Sequence, residues 1–534
     1  DGRGAGAPID LSCEYRENPM GLDDVRPRLS WRLDDGRRGA RQTAYRLLVA
    51  SEQGLLKKDV GDLWDSGQVA SDQSVLVPYG GKKLASRQQC FWKVMVWDAD
   101  SKPSPWSDHG SWEMGLLNFG EWKAKWITPP NLEIVDRPIP TGNWLRLPAG
   151  TKYLRATIDF GADPDPHHGR MALAADGPCE VFLNGRPVGK LEDTSKVAWI
   201  VMPNGLRPRE NLVAIRATAA SLSRVATGLR LTRFGGERFE LPAPKWVCAL
   251  DAPKNWAQPA FEASGWAVAQ DDGEACALKQ EFDGPRRSQL MRREFSLPSR
   301  PARARAYVTG LGGYELVING EKVGNDIFAP GWTLYDKRIQ YQTYDVTAHL
   351  RSGPNAIGAW LGNVWWSSGL RWLGGERHSK PGENLRLMLQ LEVDCDDGSR
   401  HVIATDEGWQ CASSPIVEDT LYHGEIYDAR LEQKGWDLIA FKGGGWKPVM
   451  LAGDPDHRLC AERGPSIRMT QELEPQKITE PKSGVYVLDF GQNHPGRPRL
   501  TLTAPAGTKV TIRHAELLAD RKSTRLNSSH TIQS

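Results

Sequence analysis

The 534-residue chain is long enough for about three or four cores of ordinary size rather than one. Its 68 Lys and Arg against 66 Asp and Glu leave a formal charge of +2, too small an excess for a nucleic-acid backbone or an anionic membrane surface as partner. Hydrophobic residues at 40% and charged residues at 25%, with no run of eighteen apolar positions, exclude a disordered chain and a helical membrane span.

Gly 54 and Pro 36 predict frequent turns, and 21 Trp against 12 Tyr and 12 Phe predict small sandwich cores, aromatic binding surfaces or both. The eight cysteines (13, 90, 179, 248, 276, 395, 411, 460) show no C-x-x-C and no Cys/His cluster at zinc spacing, which leaves disulfides or buried thiols. The chain does not start with Met and carries no visible signal peptide, so secreted, periplasmic and cytoplasmic locations all stay open.

From residue 11 to 117, apolar or alternating runs such as Tyr45–Ala50 and Phe91–Trp97 are separated by turn residues at 61–67 and 78–81. About one hundred residues with this rhythm predict a small β-sandwich of fibronectin or immunoglobulin type. An internal repeat follows. Glu180–Gly189 and Glu315–Gly324 share E-x-x-[LI]-N-G-x-x-V-G, a pattern that predicts a type I′ hairpin with Asn184 and Asn319 in the turn. Asn211–Ile215 and Asn355–Ala359 supply matching strands, and the spacing of Trp256, Phe261 and Trp266 recurs as Trp436, Phe441 and Trp446. Two tandem copies of one β-rich domain are expected. The offset between them grows from 135 at the hairpin to 180 at the aromatic triplet, so the second copy carries about 45 extra residues. Beyond Leu459, Val485–Phe490, Arg499–Thr503 and Lys509–Arg513 read as strands; residues 521–534 have no apolar period and are set aside as a non-native-looking tail.

Several strings in register resemble the bacterial α-L-rhamnosidases, glycoside hydrolase family 78. They are Glu17–Leu22, Arg26–Trp31, Arg41–Tyr45, Leu63–Gly67 and Phe91–Val94 at the front, then Pro330–Thr333, Tyr344–Val346, Gly424–Arg430 and Phe490–Asn493 in the family's order, with a departure at His494–Pro498. The resemblance covers residues 11 to 520 and implies an all-β chain of tandem sandwich and jelly-roll domains. These are a fibronectin type III-like module (1–118), two galactose-binding-like jelly rolls (119–283 and 284–458) and the start of a further β-sandwich (459–520). It also implies that the carboxylate pair performing inverting hydrolysis of terminal α-L-rhamnose sits in a helical barrel that follows these domains, so this chain alone is expected to be inactive. Two other readings stay open: a stand-alone carbohydrate-binding protein, and another glycosidase that uses the same modules.

Trp365, Trp366 and Trp372 lie in the lengthened part of the second copy, among Gly362, Gly369, Gly374 and Gly375. An exposed indole offers a flat apolar face to a sugar ring while its N–H finds a polar partner. With Trp332 and Tyr335 they are the candidate binding residues for a rhamnose-containing carbohydrate; core packing is the competing reading of each. Glu425 and Asp428 form a prominent carboxylate pair, read as structural and bonded to Arg430 or a turn, so no catalytic residue is assigned. Asp163, Asp165, His167 and His168 read as a solvated turn. Alternating Asp suits Ca²⁺, but such a site takes six to eight ligands and no EF-hand spacing follows. No metal or other cofactor is assigned.

Overall fold

Period-two alternation of apolar residues folds residues 9–113 into two small sheets around one core. This is a computed structural model; it describes residues 5–130, 141–159, 166–202, 210–233, 238–241, 244–278, 287–335, 337–367, 384–421, 424–453, 458–505 and 508–514, with short pieces at 518–519, 523–524 and 528–533. One sheet has the order Ile9–Cys13, Arg28–Arg32, Val77–Pro78; the other runs Trp64–Asp65, Ala44–Ala50, Gln89–Trp97, Gly110–Glu113. Leu29, Trp31, Leu47, Val49, Trp92 and Trp112 are buried between them. Trp31 satisfies its indole N–H on Gln42 Oε1 at 3.0 Å, and Gln42 in turn donates to the carbonyls of Ser71 and Gln73.

Both copies of the repeat form jelly rolls with the same order in the hairpin sheet. In the first it is Arg186–Leu191, Cys179–Leu183, Glu210–Ala217, Tyr153–Asp159, Val247–Ala249, Ala267–Val268; in the second it is Glu321–Lys322, Gly313–Ile318, Gly353–Gly362, Gln289–Leu297, Gln410–Ser413, Lys447–Pro448. Asn184 and Gly185 have φ of 49° and 85°, and Asn319 and Gly320 of 51° and 86°, the two left-handed residues of a type I′ turn. Each turn Asn also binds the next strand. Asn184 Oδ1 accepts Leu212 N–H and its Nδ2 donates to Asn211, while Asn319 Oδ1 accepts Ala356 N–H and its Nδ2 donates to Asn355, all at 2.8–2.9 Å. The aromatic triplets cover a buried arginine in each copy: Arg155 lies over Phe261 and donates to the carbonyls of Trp256 and Gln258, and Arg292 lies over Phe441 and donates to Leu438 O. These shared features are scaffold.

The opposite sheets differ in a way that revises the tandem expectation. The sheet position that Asn143–Thr151 fills in the first copy, beside Leu222–Arg233 and Gln270–Ala275, is filled in the second by Ile127–Thr128, beside Arg386–Cys395 and Met450–Leu451. The second jelly roll therefore begins before the first, and the first is nested within it. Residues 119–128, expected to open the first jelly roll, belong to the second because Trp122, Trp126 and Ile127 are buried in its core. Accordingly the chain divides into two compact units, one of Asp1–Glu133, Pro285–Leu421 and Glu425–Gln471, the other of Ile134–Gly284, Tyr422–Gly424 and Glu472–Ser534. The strand Arg458–Ala461, of which 459–461 were expected in a further sandwich, instead runs parallel to Arg338–Tyr341 at the edge of the second jelly roll.

Past residue 471, Lys477–Lys482 and Val485–Asp489 form a two-stranded hairpin whose Ile478, Val485, Tyr486 and Leu488 are exposed. The expected strand Arg499–Thr503 has no strand pairing, since a strand exists only against a partner edge. Lys509–His514 pairs with Ser528–Gln533, so part of the segment set aside as a tail lies in a sheet. All eight cysteines are free thiols, and burial pushes Cys90 and Cys179 up to about 12.

The amino-terminal sandwich and the second jelly roll share one unit because their charges interlock. Glu113, at the end of Gly110–Glu113, accepts from Arg303 Nη2 at 2.8 Å and from Arg305 Nε and Nη2 at 2.9 and 3.0 Å; its side chain and that of Arg305 are 4% and 7% exposed. Arg87 forks onto Glu392 at 2.5 and 2.7 Å and reaches Glu121. Burial raises the Glu392 carboxyl, but the Arg87 hydrogen bonds and charge outweigh it and hold it below its ordinary value. Close backbone contact accompanies the charges. A Cβ on Gly115 would collide with the Tyr341 hydroxyl, and one on Gly21, at φ 78°, with Thr343 Oγ1.

Removing one partner of a buried ion pair strands the other charges, at about 3–5 kcal/mol. Glu113→Ala should therefore lower the unfolding free energy measured by urea titration by that order, and Glu113→Gln by less. A loss under about 1 kcal/mol in Glu113→Ala would show the cluster to be solvated. By hydrogen exchange, the amides of Val485–Asp489 should exchange faster than those of Gly313–Ile318; equal protection would mean that the hairpin is covered.

Candidate functional site

The extra residues of the second jelly roll fall in two stretches. Asn319 and Asn355 are 36 residues apart where Asn184 and Asn211 are 27 apart, and Asn355 and Trp436 are 81 apart where Asn211 and Trp256 are 45 apart. The two stretches meet. Trp365 Nε1–H donates to Phe328 O at 3.1 Å, its ring meets Phe328 edge-on with centroids 6.0 Å apart, and it lies parallel to Trp332 at 5.8 Å and 5°. Trp332 is 51% exposed and Phe328 39%, with Trp365 partly buried beside them.

Each side of this aromatic cluster is held from below by polar groups. On the Trp365 side, Asn363 is fully buried; its N–H and Nδ2 donate to Asp419 at 2.6 and 2.5 Å, and its Oδ1 accepts from Ser367 Oγ at 2.6 Å. Asp419, on the Ile416–Thr420 strand, approaches so closely that a Cβ on Gly362 would meet its Oδ2 at 2.5 Å. Burial raises the Asp419 carboxyl to about 7 against these donors, and the charge of Glu425 adds to the rise. On the Phe328 side, Gln342 Nε2 donates to Pro330 O at 3.1 Å and Tyr314 N–H to Ala329 O at 3.0 Å. A buried chain of hydrogen bonds continues from there, through Tyr314 OH to Gln342, Tyr314 to Tyr344 at 3.2 Å, and Tyr344 OH to Asp326 at 3.1 Å. Glu462, raised by burial, accepts from Gln342 and from Ser466.

The five sequence candidates separate. Trp332 and Trp365 form the parallel pair. Trp366 and Tyr335 are each 3% exposed, pack edge-on at 5.1 Å and satisfy their polar atoms on the carbonyls of Asn384 and Gly331, which places both in the core. Trp372 lies outside the described residues, as do Asp163 and Asp165; His167 and His168 fall in the Pro166–Ala175 strand. Sequence reading missed Phe328, which an aromatic two residues before the Pro330–Gly331 turn could have signalled, and Asp419, whose significance is its burial and has no local signature.

Other carboxylates do structural work. Asp428 accepts from the N–H, Nε and Nη2 of Arg430, caps the short helix Ala429–Leu431 and is held down at about 2 by that guanidinium, as the structural reading of this string expected; Glu425 is exposed. On the hairpin at 397–401, Ser399 Oγ donates to Asp397 at 2.6 Å and lies 3.0 Å from His401 Nε2. A catalytic triad needs the carboxylate on the histidine, so this is turn chemistry. A cavity of about 160 Å³ is walled by Gln89, Glu113 and Arg305, which bond to one another, and by Trp112, whose buried indole N–H has no hydrogen-bond partner. Among the described residues no group of three or more His, Cys, Asp or Glu is placed to hold a metal ion, and no helix is long and apolar enough to cross a membrane.

Comparison with known proteins gives three family models in chain order. Residues 8–118 match the Rha78A-like N-terminal immunoglobulin domain, 299–471 the α-L-rhamnosidase N-terminal domain, and 479–532 the bacterial α-L-rhamnosidase concanavalin-like domain. An α-L-rhamnosidase of Streptomyces avermitilis is 38% identical over 531 residues, 95% of this chain and 51% of that protein. One of Formosa agariphila is 27% identical over 505 residues, 94% and 39%. Among solved structures, the Streptomyces avermitilis α-L-rhamnosidase complexed with L-rhamnose aligns at 35% identity and a TM-score of 0.67 over 99% of this chain and 53% of its own. That of Dictyoglumus thermophilum aligns at 28% and 0.60 over 98% and 44%. The chain spans about half the length of the relatives it matches.

Asp419 gives the cluster a pH signature. The unfolded chain ionises this group near 3.8 and the folded chain only near 7, so its stabilising contribution is complete below about pH 4 and is lost as pH rises through about 7. Asp419→Asn should remove that slope, so that its melting temperature gains on the parent's between pH 4 and 7.5. Parallel profiles over that range would place the carboxyl at its ordinary value.

Proposed function

The chain belongs to the α-L-rhamnosidases of glycoside hydrolase family 78, whose amino-terminal β-domains it carries, and on that premise we propose that it is the non-catalytic part of an enzyme that releases terminal α-L-rhamnose from glycans or glycosides by inversion. The observation that carries this reading is the match along 95% of the chain to one half of an α-L-rhamnosidase, with three domain models in register. Inversion needs an acid and a base carboxyl roughly 6.5–9.5 Å apart across a bound sugar. The prominent carboxylates of this chain are instead committed to neighbours, Glu113 to two arginines, Glu392 to Arg87, Asp428 to Arg430 and Asp419 to Asn363. None of these arrangements leaves an acid and a base facing a common open space.

The work of these domains in this reading is to fold into a scaffold and to present surfaces to a rhamnosylated ligand. Purified residues 1–534 should release no p-nitrophenol from p-nitrophenyl α-L-rhamnopyranoside above a buffer blank. Turnover that co-purifies with the chain through a second column and is abolished by a single carboxylate substitution would overturn the non-catalytic assignment.

A further inference from the structure

We propose that the recess where the amino-terminal sandwich meets the second jelly roll binds one small neutral polyhydroxylated molecule, a single sugar ring or a polyol of that size. Its lining follows from strand alternation. Gln89 and Phe91 on one strand of the sandwich stand opposite Glu113 and Ser111 on the next, so these four side chains share one face of the ladder. Trp112, between Ser111 and Glu113, turns its ring the other way, onto Tyr79 in the sandwich core. The segment Asn18–Met20 adds a flank, fastened where Ser111 N–H donates to Asn18 Oδ1 at 2.8 Å and Glu113 N–H to Pro19 O at 3.0 Å. Arg305 of the jelly roll completes the lining.

Size and chemistry select the ligand. The recess measures about 160 Å³, where one water molecule needs about 10–15 Å³ and a drug-sized ligand about 300–1,000 Å³, so it takes one ring rather than a chain of them. Junctions between domains are where such sites preferentially form. The charged groups of the lining are already committed to neighbours. Glu113 accepts from Arg303, Arg305 and Gln89, and Arg305 also meets Asp345 at 2.9 Å. A ligand carrying a full charge would lose its water here with no counter-ion left to replace it. The neutral groups are still open. Among the described residues Asn18 Nδ2 and Gln89 Oε1 bond to no other group, and Ser111 Oγ, which donates to Asn18 Oδ1 at 3.2 Å, keeps its capacity to accept. One donor and two acceptors therefore stand beside the apolar surfaces of Pro19, Met20 and Phe91. A hydroxylated ring matches that pattern, since its C–H face is apolar and its hydroxyls both donate and accept. Asn18 is held by Ser111 and Gln89 by Glu113, so little ordering accompanies binding. The lining separates neutral rings from charged ones and not one neutral sugar from another, so the site stands or falls apart from the rhamnosidase reading.

The test is a titration of the full 534-residue chain with methyl α-L-rhamnopyranoside, methyl α-D-glucopyranoside, D-glucuronate and D-glucosamine, followed by the backbone amide resonances of Phe91 and Ser111, beside thermal melts. The expected result is saturable displacement of both resonances by the two neutral glycosides, with affinity about tenfold or more weaker for the two charged sugars. Asn18→Asp keeps the oxygen that Ser111 uses and replaces the open donor, and Gln89→Leu removes the open acceptor. Each should weaken the neutral glycosides about fivefold or more, the worth of one hydrogen bond, with a melt within about two degrees of the parent because both side chains are exposed. No saturable displacement by either neutral glycoside, tighter binding of a charged sugar, or affinities unchanged in both variants overturns the site.

Discussion

Two arginines from one strand, Arg303 and Arg305, converge on the single carboxylate of Glu113, and Asp345 takes up the charge left over on Arg305. Buried ions are tolerated when hydrogen bonds replace their water, and the carboxylate has four donors, counting Gln89, while the buried Arg303 Nε is left without a hydrogen-bond partner. The amino-terminal sandwich is thereby fixed to one face of the second jelly roll, with Arg87 and Glu392 as a second fastening and close backbone approaches at Gly21 and Gly115. The segment 458–468 is placed by the same assembly. Its Ala461 N–H finds Asp23, its Glu462 faces Arg16 at 3.6 Å, and its Ile467 carbonyl receives Ile327 N–H at the base of the aromatic loop. The position of Phe328 and Trp332 thus depends on contacts that begin in the first hundred residues.

Nesting gives the repeat a different meaning from simple duplication. In both copies the turn Asn ties its hairpin to the adjoining strand, and an arginine under an aromatic triplet ties that sheet to the loop carrying Trp256 or Trp436. A scaffold satisfied by so few residues accepts lengthening elsewhere at small entropic cost. The second copy uses that freedom at two points, and the polar pairs beneath them turn what would be loose loops into a shaped surface.

Three of the family strings noted in the sequence contain residues that make such contacts. Gly21 of Glu17–Leu22 permits the approach to Thr343, Gln42 of Arg41–Tyr45 satisfies Trp31, and Asp428 of Gly424–Arg430 caps a turn. The all-β class, the two Asn-Gly hairpins and the aromatic triplets were legible because each follows from local rules, alternation for strands and left-handed φ for the turn residues. Trp332 and Trp365 were legible as aromatics in a lengthened, glycine-rich region, but their separation from Trp366 and Tyr335 was not, since neighbours in sequence can point to core or solvent without any change of composition.

From its sequence alone the protein is a multi-sandwich β chain with a duplicated jelly roll, a lengthened second copy and strings resembling α-L-rhamnosidases, all properties that short stretches encode through periodicity and turn chemistry. Only the tertiary structure decided that the copies are nested, because the strand that completes the second jelly roll is Ile127–Thr128, two residues whose partners lie some 260 and 320 positions away and whose own pattern predicts nothing. The same holds for Asp419. A carboxylate in a polar sequence has an ordinary affinity for protons until burial withdraws its water, and burial is settled by the whole chain packing together rather than by the residues beside it.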